Sequence, residues 1–166
     1  TAKWMGRLTL NPLSHLDPLG TLMLFLVGFG WAKPVPVNFS NIRDTRLGLI
    51  LVSSAGIIAN MIGAFIALLI LEVFAPPQSG ALRVMLNFFA LINIILAAFN
   101  LIPIPPLDGS KILMGFLPEN LQAAMERFEP YGFFVIIGLL FLGALNPLID
   151  AFRWIIVSII HIFLPM

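Results

Sequence analysis

Residues 84–107 form a run of 24 residues without one charged side chain, and it ends in Asn100-Leu-Ile-Pro-Ile-Pro-Pro-Leu-Asp-Gly109. A run of that length can cross a bilayer, whose hydrocarbon core takes about 20 apolar residues as a helix. In lipid every peptide group must find its hydrogen bond within the protein. Pro103, Pro105 and Pro106 have no N–H to give, so the helix must break near them, and the broken backbone must be covered by protein or line a cavity. Asp108 follows directly. An ionisable residue at membrane depth is costly unless paired, hydrated or bound to a cation, so Asp108 is the first candidate for a functional site. These residues imply a polar cavity inside a membrane bundle, with Asp108 at its centre binding a metal or another ion.

Composition sets the class. Of 166 residues, 60% are hydrophobic and 10% are Asp, Glu, Lys or Arg, against about 25% charged in a soluble domain. Mean hydropathy is +1.03, and the chain reads as an all-α, multi-pass membrane protein whose surroundings are lipid. A net charge of +1 gives no basic field for nucleic acid. The absence of cysteine excludes disulfides, thiolate catalysis and thiolate metal ligands. The chain starts at Thr1, and no apolar run follows Lys3 and Arg7 directly as it would in a signal peptide. A threonine start leads us to expect that an N-terminal part of the protein lies upstream.

Three to four transmembrane helices are expected within a single membrane domain spanning residues 1–166. Residues 1–46 comprise a turn-rich surface loop and a short apolar segment, 19–31, too short to span. That segment reads either as a re-entrant element leading into a hairpin or as a short buried helix. Residues 47–74 carry Glu72 as their one charge and form the first span, with Gly56, Ala59, Asn60, Gly63 and Ala67 on one small-residue face. Residues 84–105 form the second span, in which Asn93 and Asn100 lie two turns apart on one face and should meet protein rather than lipid. Asn60 serves either as interhelical glue or as a polar group aimed at the cavity. Residues 108–130 read as a solvent-side loop with an amphipathic helix around 118–128. Residues 131–165 supply one or two more helices, with Asp150 and Arg153 spaced to neutralise each other.

Basic residues set the orientation. Five of them, Lys3, Arg7, Lys33, Arg43 and Arg46, precede the first span, and Arg83 alone lies in the next loop, which puts the N-terminal side in the cytoplasm. Asp108 then belongs to the cytoplasmic half of the membrane.

A catalytic zinc takes three protein ligands and keeps one position open. The chain has two histidines, His15 and His161, and no HExxH. His161 reads as a headgroup-facing side chain, and His15 as a turn residue. The residues alone leave open a metal site completed elsewhere, an ion site of a transporter built on a broken helix, and a fold that binds no metal.

Four stretches occur in one order: Gly6-Arg-Leu-Thr-Leu-Asn-Pro-Leu-Ser-His-Leu-Asp-Pro-Leu-Gly-Thr21, Gly30-Trp-Ala-Lys-Pro-Val-Pro-Val-Asn38, Ala55-Gly-Ile-Ile-Ala-Asn60 and Asn100 to Gly109. Together they resemble the short bacterial branch of the site-2 protease family, zinc metallopeptidases that cut peptide bonds within the membrane. The resemblance runs from Thr1 to about Leu113. It implies that Asp108, in the family's LDG motif, is a zinc ligand. It further implies that Asn100 stabilises an oxyanion or aligns substrate, and that Asn60, closing a GxxxN pattern from Gly56, stands near the active site. The strand around 35–37 resembles the family's membrane hairpin, which could hold a transmembrane protein substrate extended. The expected location is the inner membrane of a bacterial cell.

The chain departs from that pattern in two places. The family's HExxH helix would lie before Thr1, so the two histidine ligands and the catalytic glutamate have no counterpart here, and the chain by itself is expected to be inactive. Ile57 stands where relatives often have proline. The function implied is part of an intramembrane zinc metalloprotease; the alternatives are a noncatalytic scaffold with the protease fold and an ion-coupled transporter.

Overall fold

The computed structural model describes Thr9, Asn11 and residues 16–27 and 45–164. The chain divides into two units, Thr1–Arg43 and Asp44–Met166. In the first, α1 spans Pro18–Val27. Asp17 caps it, its Oδ1 accepting from the Gly20 N–H at 2.9 Å and its carbonyl from Thr21 at 2.8 Å, while Pro18 fills a first-turn position whose N–H has no helical partner to lose. Within the apolar segment 19–31, residues as far as Val27 are helical. The rest of that segment and the strand expected at 35–37 lie outside the described residues.

In the second unit α2 (Thr45–Phe74), α3 (Ala81–Asn100), α4 (Asp108–Phe116), α5 (Glu119–Phe141) and α6 (Asn146–Phe163) follow one another, with no strand among the described residues. Three are long and apolar enough to cross a membrane: Arg46–Phe74, Ala81–Asn100 and Asn146–Phe163. Their outer surfaces expose large apolar side chains such as Leu51, Phe88 and Trp154. Apolar surface on that scale marks a membrane-facing protein.

Small residues decide the packing. α2 ends on Ala75, which has a left-handed φ of 38° and donates to the Leu71 carbonyl; a tight turn closed by Gly80 N–H on the Pro77 carbonyl then starts α3. So short a connection makes α2 and α3 antiparallel neighbours. Ala64, Ala97 and Ala98 are fully buried between them, with Ile57 and Ile94 and with Ile156 and Ile160 of α6. Of the expected small face of α2, Ala67 is buried and Asn60 and Gly63 are half-buried, while Gly56 is exposed. Ala59 is exposed and Ile57 and Ala64 are packed, because Ala59 stands about 200° round the helix from Ile57.

The second span stops earlier than expected, at Asn100 rather than 105. Pro103 cannot continue a helix, since its ring would strike the carbonyl four residues back and it has no N–H to donate. Residues 101–107 form successive turns instead, Ile102 donating to Phe99, Ile104 to Ile102 and Leu107 to Ile104. Ile102 is wholly buried against Ile136 of α5 and Leu145 and anchors this proline loop in its own small core.

Residues 108–130 differ most from expectation. Asp108 opens a helix, α4, and α5 runs from Glu119 through Pro130 to Phe141 without the expected break. The Gln122 amide donates to the carbonyls of Met114 and Leu117, both at 2.9 Å, closing the end of α4. α5 ends on Gly143, φ 67°, with Ala144 donating to Leu139 and Gly143 to Leu140, the paired bonds of a Schellman motif. Asp150 and Arg153 on α6 lie 3.7 Å apart, the neutralising pair their spacing predicted.

Candidate active site

Asp108 owes its place to close backbone contacts. α4 begins directly after the proline loop, so its carboxylate sits in the first turn, where the helix dipole favours an anion. A Cβ on Gly109 would lie 2.7 Å from the Ile102 carbonyl oxygen and nearer still to that of Leu101. Only glycine lets α4 start there. Farther along, a Cβ on Gly115 would lie 2.8 Å from Ile50 Cδ1 and 3.1 Å from the Arg46 carbonyl oxygen. α4 is thus laid antiparallel along the first half of α2, and Asp108 Oδ2 comes to 3.6 Å from where Gly56 would carry a Cβ.

The register between α2 and α3 brings the asparagines to the same end. Asn93 Oδ1 reaches 3.1 Å from the Cβ position of Gly63, so Asn93 meets protein as expected. Asn100 lies seven residues along α3 and Gly56 seven back along α2, each about 10.5 Å at 1.5 Å per residue. In antiparallel helices both steps point the same way. Asn100 therefore stands at the level of Gly56 and Asp108, with Asn60 one turn toward Gly63. The site is a groove open at Gly56 rather than an enclosed cavity centred on Asp108: Gly56 is exposed, and Asn60, Asn100 and Asp108 are each half-buried. A separate hollow, about 370 Å³ and lined by Pro103, Pro105, Leu121, Met125 and Phe128 among others, is apolar and does not include Asp108.

The polar groups differ in how far they are committed. Asn100 Nδ2 donates to the Leu96 carbonyl at 2.9 Å, leaving one N–H and its oxygen. Asn60 has no side-chain hydrogen bond among the described residues. The Asp108 carboxylate likewise has neither a hydrogen bond nor an ion pair among them. The Lys111 ammonium stands three residues along the same helix. Lys111 itself is bonded to Glu129 Oε2 of α5 at 2.5 Å. Lys111 and Glu129 both fall in the stretch 108–130 that the sequence reads as a solvent-side loop, and the spacing of Lys111 three residues after Asp108 is the one signal there that marks it.

The signature of Peptidase family M50 matches residues 75–143, which hold the proline loop, Asn100 and Asp108. YwhC of Bacillus subtilis (strain 168), a zinc metalloprotease by name, is 40% identical over 179 aligned residues that take in 100% of this chain and 81% of YwhC. The chain belongs to Peptidase family M50. The resemblance to the site-2 proteases drawn from its motifs is thereby borne out. Rip2 of Mycolicibacterium smegmatis, also a zinc metalloprotease by name, is 30% identical over 149 residues, covering 85% of this chain and 56% of Rip2. No solved structure matches the chain significantly. Family and apolar helices together make this M50 chain a membrane protein.

Zinc is in the names of these relatives. In kind, Asp108 suits it: an anionic oxygen with no competing bond, in an open groove. Among the described residues no three His, Cys, Asp or Glu cluster to complete a site. His161 is in the last turn of α6, and His15 lies outside the described residues.

Proposed function

We propose that this M50 chain is part of an intramembrane zinc metalloprotease that hydrolyses peptide bonds of membrane-embedded protein substrates. The observation that carries the reading is the uncommitted Asp108 carboxylate against Gly56, level with Asn100 and beside Asn60, in a chain of this family. Asp108 is one zinc ligand, completed by donors outside the described residues. Zinc, when bound, supplies Lewis-acid polarisation of the scissile carbonyl. The chain's own residues bind and align: Asn60, whose amide is free, and Asn100, which keeps one N–H beyond its bond to Leu96, donate to the carbonyl oxygen as negative charge develops there. The groove opens toward the cytoplasmic half of a bacterial inner membrane that the chain crosses more than once, an orientation supported by the five-to-one count of basic residues across α2.

The test is made on the protein expressed in membranes from its complete reading frame, with a transmembrane substrate. Asp108→Asn keeps the shape and removes the anionic oxygen, so zinc content and cleavage should fall together. Cleavage and zinc surviving Asp108→Asn would sink the assignment. Ion flux that depends on Asp108 without any cut peptide would favour a transporter, and a wild type with neither zinc nor cleavage would favour a scaffold.

A further inference from the structure

Lys111 follows Asp108 by three residues on the same helix, a spacing at which opposite charges readily pair. A half-buried carboxylate with an ammonium in reach should close on it, because an unpaired charge away from water is costly. Yet Lys111 Nζ lies on Glu129 Oε2, with the two side chains only 20% and 37% exposed, and Asp108 has no ion pair among the described residues. Glu129 is held in position by its own helix: three residues farther along, Gly132 is seated against the backbone of Pro105, in the loop that leads to Asp108. The contact that fixes α5 on the proline loop thus also fixes the carboxylate that captures Lys111.

We infer that Glu129 is a positioning residue that draws the Lys111 ammonium onto α5 and keeps the Asp108 carboxylate open to a cation in the groove at Gly56. The inference rests on the protease reading of Asp108. Without Glu129, Lys111 competes with the metal twice, by pairing with its oxygen ligand and by placing a positive charge next to the site. Held on Glu129, its ammonium does not pair with the ligand oxygen, and the Glu129 carboxylate offsets its charge.

The experiment measures zinc affinity, by competition with a chelator, on the purified protein from the complete reading frame. Glu129→Gln should weaken zinc by about 10–100-fold, the usual effect of losing an outer partner of a metal ligand. Combining it with Lys111→Met should restore affinity to the wild-type value, since the competitor is then gone; a residue that merely clamps α4 to α5 would not be rescued by removing the other half of the clamp. Lys111→Met alone should leave zinc affinity unchanged or higher, and this arm decides the matter if Glu129→Gln fails to accumulate. Unchanged affinity in Glu129→Gln, no rescue in the double variant, or a loss in Lys111→Met would each overturn the inference. Asp108→Asn is run alongside: retention of zinc there defeats the protease reading itself, whereas loss of zinc there with no effect at Glu129 defeats only the role of Glu129.

Discussion

Two glycines of α5, six residues apart, should respond to the same substitution with opposite signs. At Gly132 a Cβ would lie 2.6 Å from the Pro105 carbonyl carbon and closer still to its oxygen, whereas ordinary contact begins at 3.4 Å. Gly132→Ala must therefore part the helix from the proline loop by about 0.8 Å or more, and both surfaces are backbone, so no side chain can swing aside. Overpacking costs about 1–3 kcal/mol where side chains can adjust. Backbone against backbone belongs at the upper end, about 3 kcal/mol, from which the helix preference of alanine over glycine recovers about 1 kcal/mol. The net loss is about 2 kcal/mol. At Gly138 nothing lies within 4 Å of the added Cβ, so Gly138→Ala should gain about 0.5–1 kcal/mol. At roughly 2–4 °C per kcal/mol for a chain of this size, thermal unfolding in detergent should move down by about 4–8 °C for Gly132→Ala and up by about 1–4 °C for Gly138→Ala. Gly132→Ala unfolding at or above the wild-type temperature would refute the seating of α5 on the proline loop, and with it the account of how Glu129 and Asp108 are positioned.

Asn100→Ala in the complete protein should leave zinc in place while turnover falls by about 10²–10³, the effect of losing one oxyanion donor; lost zinc would show it to be a ligand or a support for one. Ile102→Ala, at a fully buried site, should lower unfolding stability by about 2–5 kcal/mol, and a loss under 1 kcal/mol would mean the proline loop is not anchored there. Gln122→Ala removes the amide that serves both Met114 and Leu117 and should cost about 1–3 kcal/mol, read from the same unfolding curves. Topology reporters fused between α2 and α3 should report the outer side, and between α4 and α5 the cytoplasm; the reverse pattern would overturn the orientation.

Long uncharged runs made α2 and α3 legible, because length and lack of charge leave a spanning helix little competition. α4 was not legible. Its nine residues include Gly109 and Gly115 with Asp108 and Ser110, four residues of low intrinsic helix preference. It forms because those glycines admit the backbones of Leu101 and Arg46, and no local pattern announces a close approach that tertiary structure creates. The continuity of α5 through Pro130 was hidden for a related reason. A proline removes one bond, and both Pro130 and Glu126, whose carbonyl loses its partner, are exposed, so that carbonyl can be met from outside the helix.

The site itself was half legible, and the half that was missed is geometric. Asp108, Asn100 and Asn60 could each be singled out as polar groups in apolar surroundings, but nothing in their spacing of 8 and 40 residues says that they share a level. That follows from two turns. The tight connection after Ala75 makes α2 and α3 antiparallel, so equal steps of seven residues, from Gly63 to Gly56 and from Asn93 to Asn100, end side by side. The proline loop then reverses the chain so that α4 starts where α3 ended, and Gly56, lacking a side chain, leaves the space that the Asp108 carboxylate faces. A larger residue at 56 would fill that space. The glycine that opens the GxxxN pattern therefore does as much to make room for a ligand at Asp108 as the carboxylate does to attract one.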